Sequence, residues 1–179
     1  MNQSDEPDLL IKGVLEENGV RITEMSAIGE LSSRGYGVKE DKGLILTLYE
    51  GLNLLDRKML EVENEEGENV DFQSLLAVYR SVDEGGWVKY LSYRDLRSRG
   101  YVVREGFGRG IDFRVYERGT YGKNAAKHLI FSAQEGKPVA AKELSNALVQ
   151  CQRLKKELVL AVINRRGEIV YYSVGEIRF

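Results

Sequence analysis

Apolar and polar positions along this chain fall into short, well-punctuated segments. Residues 8–23 hold two apolar runs around Asn18-Gly19, the pattern of a β-hairpin. Residues 25–37 are brief and broken by glycine. Leu44, Leu48, Leu52 and Leu55 recur at helical spacing, which predicts a helix within residues 43–57. Leu60-Glu-Val-Glu alternates as a strand does, and Glu65-Glu-Gly-Glu-Asn69 reads as a solvated acidic turn. Asp71 is placed to cap a helix whose inner face is Phe72, Leu75, Leu76 and Tyr79.

The stretch Asp83-Glu-Gly-Gly86 is the expected domain junction, which gives an N-terminal domain over residues 1–84 and a C-terminal one over residues 85–179. A helix from Trp87 to Arg99 follows, stopped by Gly100. Residues 101–104, 112–116 and 128–133 read as strands, with loops at 119–124 and 136–138. Residues 140–152 form a helix with Leu144, Ala147, Leu148 and Cys151 on one face. Leu158-Val-Leu-Ala-Val-Ile163 is continuously apolar, which predicts a central strand covered on both sides. Asn164-Arg-Arg-Gly167 turns it into a last strand, 168–174. The fold class is α+β or α/β, two small domains, each mixing helices with strands and the second built on a mixed sheet.

Composition adds limits. With 42% hydrophobic and 30% charged residues the chain suits a soluble globular fold. It lacks a run of about 18 apolar residues, so no membrane span is expected. Its first residues are acidic and polar, unlike a secretory signal. The single cysteine, Cys151, cannot form an internal disulfide or a cysteine-based metal cage, and it fits a reducing, cytoplasmic setting.

Charge changes the picture more. The net value of −2 conceals two unlike halves. Residues 1–100 carry 12 Lys+Arg against 20 Asp+Glu, a balance of −8; residues 101–179 carry 14 against 8, a balance of +6. A basic half suits an anionic partner, most often a phosphate backbone.

In that half lies His128, the only histidine. A lone histidine serves structure more often than catalysis. This one opens a strand after a glycine-containing loop, and a histidine can give a proton near neutral pH. Tyr116 ends the preceding strand, where a half-buried sheet tyrosine is the commoner fate. A free phenol holds its proton to about pH 10, so a base role calls for a neighbouring cation. Lys156, just before the apolar strand, is a candidate; beside Lys155 it also suits a solvated charge.

Together the three residue types suit cleavage of an RNA phosphodiester without metal or cofactor. Tyr116 would take the proton of a ribose 2′-hydroxyl, which attacks the adjacent phosphorus. His128 would protonate the departing 5′-oxygen, and Lys156 would hold the added negative charge. A rival pattern, Pro7-Asp8 with Glu40-Asp41-Lys42, fits metal-dependent restriction-type DNA nucleases. Its two pieces are short enough to match by chance, and they lie in the acidic half. Gly106-Phe-Gly-Arg-Gly110 lacks the spacing and the following helix of a dinucleotide site.

Tyr93-Arg-Asp-Leu-Arg-Ser-Arg-Gly-Tyr-Val-Val, Gly110-Ile-Asp-Phe-Arg-Val-Tyr-Glu-Arg-Gly, His128 and Lys156-Glu-Leu-Val-Leu-Ala-Val-Ile together carry a resemblance to the archaeal tRNA-splicing endonuclease family. Gly35-Tyr-Gly and Leu46-Thr-Leu-Tyr-Glu-Gly-Leu support it in the first half. It implies a two-domain subunit whose C-terminal domain is nuclease-like, of the restriction-endonuclease-like kind. Tyr116, His128 and Lys156 would be its catalytic residues, with no cofactor and no metal. Precursor tRNA would be cut at both ends of an intron within a bulge–helix–bulge. Two spaced cuts imply an oligomer, a homotetramer by preference, with a heterotetramer containing a second subunit as the alternative. A non-catalytic structural or RNA-binding subunit is the runner-up reading, and the filled catalytic positions speak against it.

The chain also departs from the family pattern. The loop from 117 to 127 carries a second tyrosine, Tyr121, which competes for the base role. Val149 stands where the family often has an arginine that grips a bulge base, with Arg153 nearby. The loop over residues 132–138, where the family has an acidic docking loop, holds Glu135 but also Lys137.

Overall fold

The structure, a computed structural model, describes residues 10–108 and 110–177, so Pro7, Asp8 and Arg109 lie outside the described residues. The chain divides into two compact units, Met1–Trp87 and Val88–Phe179. Each is built on a mixed five-stranded sheet, the α+β class expected from the sequence.

In the first unit the hairpin forms as β1 (Ile11–Glu16) and β2 (Gly19–Ile22), joined at Asn18-Gly19. A helix, α1 (Met25–Ser33), occupies the glycine-punctuated stretch. Then follow β3 (Val38–Glu40), β4 (Gly43–Leu46), α2 (Leu48–Asp56), β5 (Leu60–Glu63) and α3 (Phe72–Val82). The sheet order is β3-β4-β2-β1-β5, with β1 and β5 parallel and the other pairs antiparallel. Asp71 caps α3 by accepting from the Ser74 N–H at 2.8 Å, as expected.

The single helix expected within residues 43–57 is instead a strand and a helix. Leu44 and Leu46 alternate into the core while β4 pairs with β2. Gly43, at φ 134°, lies so close to β2 that a Cβ there would stand 2.2 Å from the Ile22 carbonyl oxygen. The helix begins only at Thr47, whose side chain and that of Glu50 form a reciprocal capping box. Leu44 and Leu48 share helical spacing by coincidence of two elements.

The second unit begins in α4 (Gly86–Ser98) and continues through β6 (Val102–Glu105), β7 (Phe113–Tyr116), β8 (His128–Gln134), α5 (Ala141–Arg153), β9 (Glu157–Ile163) and β10 (Ile169–Val174). The sheet order is β10-β9-β8-β7-β6, and only β8 and β9 run parallel. The central strand is therefore β8. The apolar run 158–163, expected at the centre, sits one place outward. Leu158 is buried toward one face and Ala161 and Ile163 toward the other, so both faces are covered as an unbroken apolar run requires. On one face Ala147 and Cys151 of α5 close over Leu129, Phe131, Ala133 and Leu158. On α4, Tyr90, Tyr93 and Leu96 are buried, and the Tyr93 ring centre lies 6.0 Å from that of Phe113. Each large apolar side chain so buried stabilises the unit by about 1.5–3 kcal/mol relative to exposure.

The glycine-rich stretch 106–110 is explained by this packing. A Cβ on Gly106 would stand 1.9 Å from the Ile111 carbonyl oxygen, and Gly110, at φ 84°, faces the Phe131 ring.

Candidate active site

Topology brings Tyr116, His128 and Lys156 to one end of the second sheet. Tyr116 is the last residue of β7 and His128 the first of β8; because these strands are antiparallel, the end of one meets the start of the other. β9 runs parallel to β8, so Lys156, immediately before it, arrives at the same end. The register pairs Val115 with His128 and His128 with Glu157. Side chains alternate along a strand. Val115, His128 and Glu157 therefore share one face, and Tyr116 points to the other at the rim where its strand stops.

Lys156 is positioned by how α5 ends. The Lys156 N–H donates to the Cys151 carbonyl at 2.9 Å, and the Lys155 N–H donates to that of Gln152 at 3.0 Å. This is a Schellman closure, with Lys155 in the left-handed position at φ 54°. Lys156 thus follows rigidly from a helix whose inner face, Ala147 and Cys151, is anchored in the core.

Tyr116 is half-buried, and its ring meets that of Tyr121 edge to face at 5.0 Å, with an interplanar angle of 85°. The segment carrying Tyr121 is a tight turn. The Thr120 hydroxyl donates to the Glu117 carbonyl at 2.9 Å, and the N–H groups of Lys123 and Asn124 donate to the Thr120 carbonyl. Lys127 Nζ approaches Glu117 Oε1 at 3.3 Å across the base of the loop.

His128 is about a quarter exposed, at 26%. Its Nδ1 is enclosed and stands 3.1 Å from Glu157 Oε2, although not aligned as a hydrogen bond. Nothing in the sequence alone marks Glu157 as a neighbour of His128. Only the parallel register of β8 and β9 sets them side by side, and the Glu157 N–H donating to the Lys127 carbonyl at 3.1 Å locks that register at its first rung.

The arginines around this site are largely occupied inside the unit. Arg94 lies over the Tyr90 ring and Arg118 over the Tyr101 ring, each 5.8 Å from the centroid. Arg114 Nε donates to the Glu105 carbonyl at 2.8 Å. Arg99 pairs with Asp95 at 2.7 Å. The same Asp95 accepts from the Tyr171 hydroxyl at 2.6 Å, and burial first, then this carboxylate, pushes the Tyr171 phenol far above its usual range. Val149 is exposed on the outer side of α5, in a groove lined by Lys142, Asn146, Gln150 and Arg153. Glu135 and Lys137 are both exposed in the turn after β8.

The rival motif keeps only its second piece within the described residues. Glu40 ends β3 and is held by Arg21 Nη2 at 3.4 Å, while Arg21 also grips Glu16. Among the described residues no three His, Cys, Asp or Glu side chains gather to hold a metal ion, and no helix is long and apolar enough to cross a membrane.

Two family models match the chain. The tRNA intron endonuclease N-terminal domain matches residues 11–76, and the tRNA intron endonuclease catalytic C-terminal domain matches residues 86–171, a span that includes Tyr116, His128 and Lys156. The tRNA-splicing endonuclease of Pyrococcus abyssi is 31% identical over 173 residues, 95% of this chain and 98% of that protein. That of Methanococcus maripaludis is 29% identical over 172 residues, 96% and 97% of the two chains. The tRNA-splicing endonuclease of Methanococcoides burtonii is 36% identical over 155 residues, 86% of this chain but only 43% of that longer protein.

Proposed function

The chain belongs to the tRNA intron endonuclease family, and we propose that it is a tRNA-splicing endonuclease whose active site is Tyr116, His128 and Lys156. What supports the reading is the meeting of the end of β7 with the starts of β8 and β9 at one end of the sheet, inside the stretch that the catalytic-domain model matches.

The reaction follows from the residue types. Tyr116, as phenolate, takes the proton of the ribose 2′-hydroxyl at the cut site. The 2′-oxygen attacks the adjacent phosphorus as the bond to the 5′-oxygen breaks. His128, as imidazolium, gives its proton to that leaving oxygen. The Lys156 ammonium lies where charge builds on the phosphoryl oxygens. The products are a 2′,3′-cyclic phosphate and a 5′-hydroxyl, and no metal ion takes part. The substrate is precursor tRNA, cut at both intron boundaries within a bulge–helix–bulge and recognised largely by shape and splayed-out bases. Two cuts a fixed distance apart need two active sites at a matching distance. The working enzyme is therefore an oligomer, a homotetramer by preference; a heterotetramer with a second subunit meets the same need.

The test is cleavage of intron-containing precursor tRNA in the presence of a chelator, with the ends identified. Cyclic-phosphate and 5′-hydroxyl ends are expected, and a 2′-deoxy substitution at the cut site should abolish the cut. In the same assay His128→Ala should lower the cleavage rate by about 10²–10⁴, the scale of losing a general acid, while RNA binding survives. Products ending in a 5′-phosphate, or cutting that stops in chelator, would overturn the mechanism. Near-wild-type cleavage by His128→Ala would overturn the site.

A further inference from the structure

We propose that Glu157 is a positioning residue for His128, fixing the imidazole so that Nδ1–H faces the Glu157 carboxylate and Nε2 faces the substrate. The inference rests on the reading of His128 as the proton donor.

Three observations carry it. The His128 Nδ1 is closed off from solvent and has no hydrogen-bond partner, while the Glu157 carboxylate stands 3.1 Å away. The imidazole keeps 26% of its side-chain surface exposed, and none of that exposure lies on the enclosed Nδ1. The Glu157 backbone is pinned beside His128 by the first rung of the parallel ladder, while its side chain remains 57% exposed and can turn onto the ring. An enclosed N–H without an acceptor is costly, so a proton on Nδ1 is tolerable only when a group at this place accepts it. The hydrogen bond made by one ring nitrogen decides what the other carries. A carboxylate at Nδ1 leaves Nε2 as the nitrogen that delivers the proton, and Nδ1–H as the form that remains after delivery.

Glu117, the carboxylate at the start of the loop before β8, is itself engaged by Lys127 Nζ at 3.3 Å.

Because the chain has one histidine, its imidazole nitrogens give a single set of signals in a ¹⁵N spectrum. Free histidine above its titration favours the Nε2–H form. The full-length protein under the same conditions should show Nδ1–H. Glu157→Ala should revert to Nε2–H, and Glu157→Gln, which keeps an oxygen at the same reach, should restore Nδ1–H. Single-turnover cleavage by Glu157→Ala should fall by about tenfold to a hundredfold, the scale of losing a group that orients a working histidine, with substrate affinity unchanged. Glu157 is exposed, so the alanine variant should fold. An Nδ1–H signal that persists in Glu157→Ala overturns the pairing, and a tautomer change with no loss of rate overturns the positioning role. An active His128→Ala variant is a separate failure. It would remove the catalytic reading of His128 and leave the tautomer result to stand or fall by itself.

Discussion

Tyr116 and Tyr121 meet edge to face, so the mechanism proposed above has two tyrosines to choose between for its base. Position favours Tyr116. It is the last rung of β7, paired with Val102 on one side and adjacent to the Val115–His128 pair on the other. Tyr121 belongs to a turn held by its own local hydrogen bonds. Tyr116→Phe should therefore lower single-turnover cleavage by about 10²–10⁴, and Tyr121→Phe, which keeps the ring that props Tyr116, should stay close to wild type. The reverse ranking would move the base role to Tyr121. At this scale the placement of Tyr116, His128 and Lys156 at strand ends is legible in the sequence, because apolar runs and glycine stops mark where strands begin and end. Glu157 is not. Its nearness to His128 comes from the register of two parallel strands joined through α5, where no hairpin turn sets which residues pair.

Among the elements, what stops a helix is less legible than where it stops, and the structure supplies the reason. Four helices close in the same way. Tyr36, Met59, Tyr101 and Lys156 each donate a backbone N–H to a carbonyl five residues back. At α1 and α4 the left-handed residue before each donor is glycine, Gly35 and Gly100, and the stop is visible in the sequence. At α2 and α5 it is Lys58 at φ 57° and Lys155 at φ 54°. A lysine gives no hint of such a bend, and in that conformation its Cβ costs roughly 1–2 kcal/mol. Lys155→Gly should therefore raise unfolding stability by about 1 kcal/mol, read as a shift in the urea midpoint at constant slope, with cleavage retained because Lys156 keeps its place. Gly100→Ala should move the midpoint the other way. A Lys155→Gly variant no more stable than wild type would show that Lys155 makes a compensating contact through its side chain. The segment 43–57 departs from its helical spacing for a related reason, since the core needs of a strand and of the helix after it happen to fall four residues apart.

For the whole molecule, the two units are alike in plan and opposite in charge. Each has a mixed five-stranded sheet, and each contains an Asn-x-x-Gly-Glu turn in which the asparagine Oδ1 accepts two backbone N–H groups, at Asn64 and at Asn164. The variable pair of that turn is Glu65-Glu66 in the first unit and Arg165-Arg166 in the second. Counting charges reveals this division. It does not reveal that the arginines at 94, 99, 114 and 118 are engaged within their own unit. The candidates for phosphate contact therefore lie among the exposed cations outside that set, such as Lys123, on the Tyr121 turn, and Lys142, on α5. If the basic unit holds the RNA, neutralised phosphates release counterions and affinity falls steeply with salt. For about six contacts the loss is about 10³-fold between roughly 50 and 200 mM. Lys123→Ala and Lys142→Ala should each lower the slope of log affinity against log salt by about 1. Lys12→Ala, an exposed lysine on β1 of the acidic unit, should leave it unchanged. Equal effects at all three positions would mean that the RNA does not distinguish the two units. A nearly flat salt response in the wild-type protein would mean that binding rests on stacking and shape, with the positive balance of the second unit serving its own packing instead.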